Sequence, residues 1–202
     1  MPVPHPQLIL ASGSSIRRQL LENAGVAFAV DPADLDEKAI LATLRDRATP
    51  VPQRALHLAG IKSETVSRRH GGALVIGADQ ILEADGHIVS KSTNPEAART
   101  VLMRLRGKRH YLHSGVAIAR DGSTLWSHVG TASLTMREFS QTWLDAYMAA
   151  SPEALTTSVG AYQFEGLGVQ LFSRIEGDYF TILGLPLLEL LAQLRRLQVL
   201  ET

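Results

Sequence analysis

A chain of 202 residues in which 45% of side chains are hydrophobic has enough apolar surface to bury a substantial core, which excludes disorder as the default. Twenty basic side chains balance 20 acidic ones, so no global field draws nucleic acid or an anionic membrane, and any polyanion site must be local. The lack of cysteine removes disulfides, thiolate metal sites and cysteine nucleophiles together.

Taken in chain order, Met1–Gln7 has prolines and a histidine where an export signal would have basic residues and then an apolar run. Cytoplasm is therefore the expected location, with no nucleic-acid and no membrane partner. The apolar run Leu8 to Ala11 predicts a short buried strand. It stops at Ser12-Gly13-Ser14-Ser15, after which Ile16, Leu20, Leu21 and Ala24 recur at helical spacing up to a stop at Gly25. Val26 to Val30 reads as a second strand, followed by an acidic turn from Asp31 to Glu37. A helix is predicted from Gln53 to about Arg69, carrying Lys62. Ala73 to Ala78 suits a central strand covered on both faces, with Asp79 where that strand should emerge.

Asp85-Gly86 predicts a hairpin that places Lys91 just beyond the returning strand. Asn94 and Pro95 form an N-cap and first-turn pair for a helix through Leu105, closed by Gly107. Tyr111–Ala119 and Leu125–Met136 read as another hairpin, turning at Asp121-Gly122. Ser140 can cap the next helix, with Phe139 and Leu144 spaced as a hydrophobic staple. A glycine-punctuated segment from Gly160 to Gly168 leads into a predicted strand from Val169 to Ile175. The last helix opens at Gly184-Leu185-Pro186 and is amphipathic, not a membrane span. The expectation is an α/β fold: a mixed central sheet flanked by helices, one domain over 1–202 made of two closely packed lobes, with an inserted middle hairpin lobe.

Three constellations could do chemistry. The strand-loop-helix from Leu8 to Arg18 offers free backbone donors at a helix start, and Arg17 and Arg18 oppose the helix dipole there unless an anion offsets them. A serine-capped helix with two solvated arginines is the alternative. The carboxylates Asp36, Glu37 and Asp79 are hard ligands that suit magnesium or manganese held jointly with substrate phosphates. The first two could equally cap a following helix. Lys62 and Lys91 could each neutralise a phosphate oxygen, or lie solvated at the surface. Among the seven histidines, His110 and His113 look like a metal pair, but their odd separation on a strand points them to opposite faces.

Together these pieces resemble the Maf family of nucleotide pyrophosphatases, from about Leu8 to Leu191. The residues that carry the resemblance are Leu8-Ile9-Leu10-Ala11-Ser12-Gly13-Ser14 with Arg17-Arg18, Asp36-Glu37, Leu58-Ala59 with Lys62, Gly77-Ala78-Asp79, Lys91, Gly160-Ala161-Tyr162, Glu165-Gly166-Leu167-Gly168, Ile175-Glu176-Gly177-Asp178-Tyr179 and Gly184-Leu185-Pro186. The resemblance implies a Maf/ITPase-like fold, a divalent metal cofactor (Mg or Mn) and a homodimer. It implies hydrolysis of a nucleoside triphosphate to monophosphate and pyrophosphate, a house-cleaning of the nucleotide pool. By the same resemblance Asp79 is the proton acceptor, Glu37 a second acid near metal and water, with both near the metal, and Ser12, Arg17, Arg18, Lys62 and Lys91 contact the substrate.

Family branches differ at the positions of Ile16, Gln80 and Glu165. Branches acting on dTTP and UTP have arginine, threonine or serine, and glutamine there. Gln80 and Glu165 instead resemble the 7-methyl-GTP branch, where a carboxylate can accept from a guanine edge and complement the methylated ring's charge. That branch carries tryptophan at the position of Ile16. The alternatives are a dTTP/UTP pyrophosphatase and, from another class, a non-catalytic division-control binding protein on the same scaffold.

Overall fold

A computed structural model describes residues 7–201 of the chain. The reading of the first six residues falls outside that range. In chain order the elements are β1 (Leu8–Leu10), α1 (Ser15–Asn23), β2 (Ala29–Val30), α2 (Glu37–Asp46), α3 (Val51–Ser67), β3 (Leu74–Ala84), β4 (His87–Val89), α4 (Pro95–Leu105), β5 (Arg109–Arg120), β6 (Ser123–Met136), α5 (Gln141–Ala150), α6 (Ala154–Thr157), β7 (Phe172–Glu176), α7 (Tyr179–Ile182) and α8 (Leu187–Arg196). Among the described residues seven strands form one mixed sheet of order β2-β1-β3-β5-β6-β7, with β4 also paired to β3. β1 runs parallel to β2 and β3, whereas β3–β4 and β6–β7 are antiparallel. The α/β reading with a mixed sheet flanked by helices is therefore correct.

The chain divides into two units. The first comprises the amino-terminal part to Gln80, Ser114–Gly130 and the carboxyl-terminal part from Gly184. Its sheet core joins Ile9 and Ala11 with Val75, and Val66 of α3 closes over them. Parallel pairing of Leu8, Ile9 and Leu10 with Leu74, Val75 and Ile76 explains why both runs are apolar without alternation, since parallel strands are covered on both faces. α3 lies close against this sheet because two glycines admit its backbone. A Cβ on Gly77 of β3 would stand 2.1 Å from the Ala59 carbonyl oxygen, and one on Gly115 of β5 would stand 2.5 Å from that of Ala55.

The second unit comprises Ile81–His113 and Thr131–Leu183. Its core gathers Leu82, Leu102, Leu105, Leu112, Leu134, Phe139, Leu144 and Tyr147 around the sheet and α4 and α5. Phe139 and Leu144 are both buried, as the staple requires, and Ser140 accepts from the Trp143 amide at the start of α5. The His110 ring meets the Tyr162 hydroxyl at 2.8 Å. His113 meets Glu83 at 2.9 Å and Thr131 at 3.0 Å, so the two histidines have separate partners as the strand argument expects.

Three readings need correction. Asp79 is not at the end of its strand: β3 runs on unbroken to Ala84, because the residues after Asp79 pair with β4. Of the predicted strand from Val26, only Ala29–Val30 pairs, and both residues are exposed. Leu167–Leu171 form a 3-10 helix, so β7 begins at Phe172; a short apolar run has no period to tell a strand from a helical turn.

Candidate active site

Five of the residues singled out from the sequence meet in the first unit, each delivered by a different piece of local structure. The loop after β1 places Ser12, and Ser14 caps α1 by accepting from the Arg17 amide at 3.4 Å. Arg17 thus stands in the first turn of α1, where no acidic residue offsets the helix dipole. Asp36 is the N-cap of α2, accepting from the Ala39 amide at 3.0 Å. That capping role, one of the two open readings of the acidic turn, leaves Glu37 as the first residue of the helix with its carboxylate free to reach across. Lys62 occupies the inner face of α3, in register with Ala55, Leu58, Ala59 and Val66, which is why it is buried and not solvated. Asp79 is buried because β3 is covered on both faces.

The resulting geometry is an ion-pair chain. Lys62 Nζ donates to Asp79 Oδ1 at 2.6 Å and stands 2.7 Å from Glu37 Oε1. The Asp79 and Lys62 side chains are each 10% exposed, whereas that of Glu37 is 48% exposed. The chain therefore runs from a sheltered acid to one open to solvent. Arg17 is held beside it by two main-chain oxygens and a hydroxyl: Nε donates to the Gly184 carbonyl at 2.8 Å, and Nη1 to the Ala78 carbonyl and Ser12 Oγ, both at 3.0 Å. Among the described residues Nη2 has no hydrogen-bond partner, so its N–H groups remain for another acceptor. Gly184, at φ +92°, takes a backbone conformation that favours glycine, and a Cβ there would come within 3.4 Å of the guanidinium.

Burial pushes the Asp79 carboxyl above its ordinary range, because the charged form loses water, while Lys62 and Arg17 pull the other way. Burial likewise lowers Arg17, and Asp79 and Glu37 offset it. Two acids and two cations therefore balance within the cluster. Among the described residues no group of three His, Cys, Asp or Glu side chains forms a ready-made metal cage.

A family model described as Maf-like protein matches residues 7–197. The chain belongs to the Maf family. It is 50% identical over 187 residues to the nucleoside triphosphate pyrophosphatase of Paramagnetospirillum magneticum, covering 93% of this chain and 96% of that protein. It is 47% identical over 190 residues to the 7-methyl-GTP pyrophosphatase of Brucella abortus, covering 94% and 96%. With the 7-methyl-GTP pyrophosphatase of Mesorhizobium japonicum it shares 46% over 195 residues, covering 96% and 98%. Among solved structures, a HAM1 protein from Coxiella burnetii overlays at a TM-score of 0.44 and 13% identity, covering 65% of this chain and 73% of that one, too loose an overlay to carry an argument.

The other residues singled out in this Maf-family chain lie outside the ion-pair chain. Arg18 is exposed beside Arg17. Ile16 is half-buried on α1, and Gln80, following Asp79, donates to the Ser114 hydroxyl at 3.0 Å. Lys91, just past β4, and Glu165, in the turn before Gly166, are exposed and belong to the second unit. Asp178 caps α7 through the Phe180 and Thr181 amides. The contributions that sequence reasoning missed are the carbonyls of Ala78 and Gly184. Every residue has a carbonyl, so no residue type signals one. The inner face of α3, by contrast, was readable: Lys62 falls on its apolar spacing.

Proposed function

We propose that this chain is a nucleoside triphosphate pyrophosphatase, cutting between the α- and β-phosphates to release monophosphate and pyrophosphate. The observation that carries the reading is Asp79: a buried carboxylate, raised by that burial, paired to Lys62 and flanked by Arg17. A protein that only bound an anion would gain nothing from acids at the same spot, which argues against the binding-protein alternative. The names and coverage of the relatives support the same reaction.

In this mechanism Arg17 Nη2 and the Lys62 ammonium take triphosphate oxygens, with Ser12 and Lys91 as further contacts by family resemblance. Asp79 accepts a proton from water as its oxygen bonds to the α-phosphorus; the bond from that phosphorus to the bridging oxygen breaks, and pyrophosphate leaves with the electron pair. Fixed cations beside the phosphate chain stabilise the charge that develops on it. Glu37 and Asp79 converge on one ammonium, so their oxygens face a common point, and two carboxylates completed by substrate phosphates are the donor set that suits magnesium or manganese. Bound there, such a cation would neutralise charge along the phosphate chain.

For the base, Gln80 and Glu165 support 7-methyl-GTP over dTTP and UTP, since an exposed carboxylate can pair with a guanine edge and a positively charged ring. The family resemblance extends the proposal to a homodimer in the cytoplasm. The test is a panel of nucleoside triphosphates, with and without magnesium or manganese, read as pyrophosphate release by wild type and Asp79→Asn. Turnover should follow the methylated guanine nucleotide and fall about 10²–10⁴-fold in the variant. Wild-type rates in a folded, nucleotide-binding Asp79→Asn protein would overturn the assignment of Asp79.

A further inference from the structure

The point on which Glu37 and Asp79 converge is held by the protein's own cation. Lys62 Nζ lies 2.7 Å from Glu37 Oε1 and 2.6 Å from Asp79 Oδ1, the distances of tight, charge-assisted hydrogen bonds. Arg17 adds a second positive charge whose field reaches both acids. A divalent ion arriving alone would have to displace the ammonium and would leave the cluster with an excess of positive charge. In a sheltered site that excess is costly, because water screens it poorly. A triphosphate changes both conditions, since its oxygens offer the ammonium a new partner and its negative charge offsets the incoming metal.

We infer that Lys62 is a resident stand-in for the metal, which keeps Glu37 and Asp79 together in the free protein and admits a divalent cation only in company with a polyphosphate. Metal and nucleotide then load as one complex or in the order nucleotide first, and the protein does not hold the metal by itself. The side chain's position favours this role. Lys62 sits on the inner face of α3, whose backbone is fixed against Gly77, so the ammonium can swing at its tip but cannot leave. Glu37, nearly half exposed, is the acid from which it would part first, whereas Asp79 is sheltered. The inference rests on the pyrophosphatase reading above and deepens it.

The test reads manganese binding, not turnover. Free Mn(II) is followed by electron paramagnetic resonance during titration of the full chain, in wild type and in Lys62→Met, which keeps the unbranched apolar stem of the side chain and removes its charged tip. Wild type should bind Mn(II) weakly alone and much more tightly with an α,β-methylene nucleoside triphosphate present, beyond what the analogue chelates in protein-free buffer. Lys62→Met should bind Mn(II) alone roughly tenfold or more tightly than wild type, the scale on which a close charge pair makes itself felt. Lys62→Arg, which retains the charge, should resemble wild type and guards against a Lys62→Met protein that fails to fold. Equal affinity of wild type and Lys62→Met for Mn(II) alone would overturn the stand-in role while leaving the enzyme reading intact. Tight Mn(II) binding by wild type without nucleotide would do the same. Failure of wild type to hold Mn(II) even with the nucleotide analogue would instead strike at the metal-dependent pyrophosphatase reading itself.

Discussion

Replacing Gly77 by alanine probes the active-site geometry with a substitution that adds no charge. The new Cβ would lie 2.1 Å from the Ala59 carbonyl oxygen, 2.6 Å from the Ser63 amide nitrogen and 2.9 Å from Ser63 Cβ. Two of those atoms are main chain of α3, so no side-chain rotation relieves the overlap, and strand and helix must part by about 1 Å. Lys62 rides on that helix with its ammonium 2.6 Å from Asp79, and a retreat of this size takes the pair out of hydrogen-bond range. Overpacking of a filled core costs about 1–3 kcal/mol, and a backbone collision puts this variant at the upper end. For a chain of this length the melting temperature should fall by roughly 6–10 °C. A displacement of about 1 Å at a reacting group costs on the order of 10²-fold in kcat/KM. Thermal unfolding and pyrophosphate release measure the two effects, with Gly71→Ala as control, because a Cβ there meets nothing within 4 Å. A Gly77→Ala protein that melts and turns over like wild type would refute the claim that α3 packing sets the position of Lys62.

Arg17→Lys should raise KM more than it lowers stability, since a lysine cannot satisfy both the Gly184 and Ala78 carbonyls and still present a donor to phosphate; leaving one of them unpaired costs about 1–3 kcal/mol, read by denaturant unfolding beside steady-state kinetics. Glu165→Gln should erase a preference for 7-methyl-GTP over dTTP by roughly tenfold in kcat/KM while sparing the melting temperature, because the residue is exposed. Acid sensitivity should arise in the second unit at His110, which burial lowers from 6.5 to about 4. The folded state keeps this ring neutral, so its contribution is complete above pH 6.5 and is lost as pH falls toward 4, a loss of about 3 kcal/mol. Urea unfolding at pH 7 and pH 4 measures it, and His110→Gln should show a smaller difference between the two pH values than wild type.

Local chemistry makes much of this fold readable in the sequence. Asp85-Gly86 and Asp121-Gly122 both adopt positive φ in hairpin turns, and Asn94-Pro95 starts a helix that ends at Leu105, because turn and cap preferences act over a few neighbouring residues. The same reasoning failed where the signal was shorter than one structural period, as at Val169–Leu171, or where a partner strand extended an element, as in β3 beyond Asp79. The list of chemically competent residues was also in the sequence, since only certain side chains can carry charge or a proton.

What the sequence determined by itself was which groups are available: Ser12, Arg17, Glu37, Lys62 and Asp79 could be named from residue type and position. What the tertiary structure decided was which of them meet and in what state. The Lys62 ammonium lies between two acids because Gly77 lets a helix touch a strand, and Arg17 is aimed by carbonyls from Ala78 and Gly184, 61 and 167 residues away. Those carbonyls belong to the backbone common to all residues, and the burial that raises Asp79 belongs to the folded sheet, so neither exists until distant parts of the chain have packed.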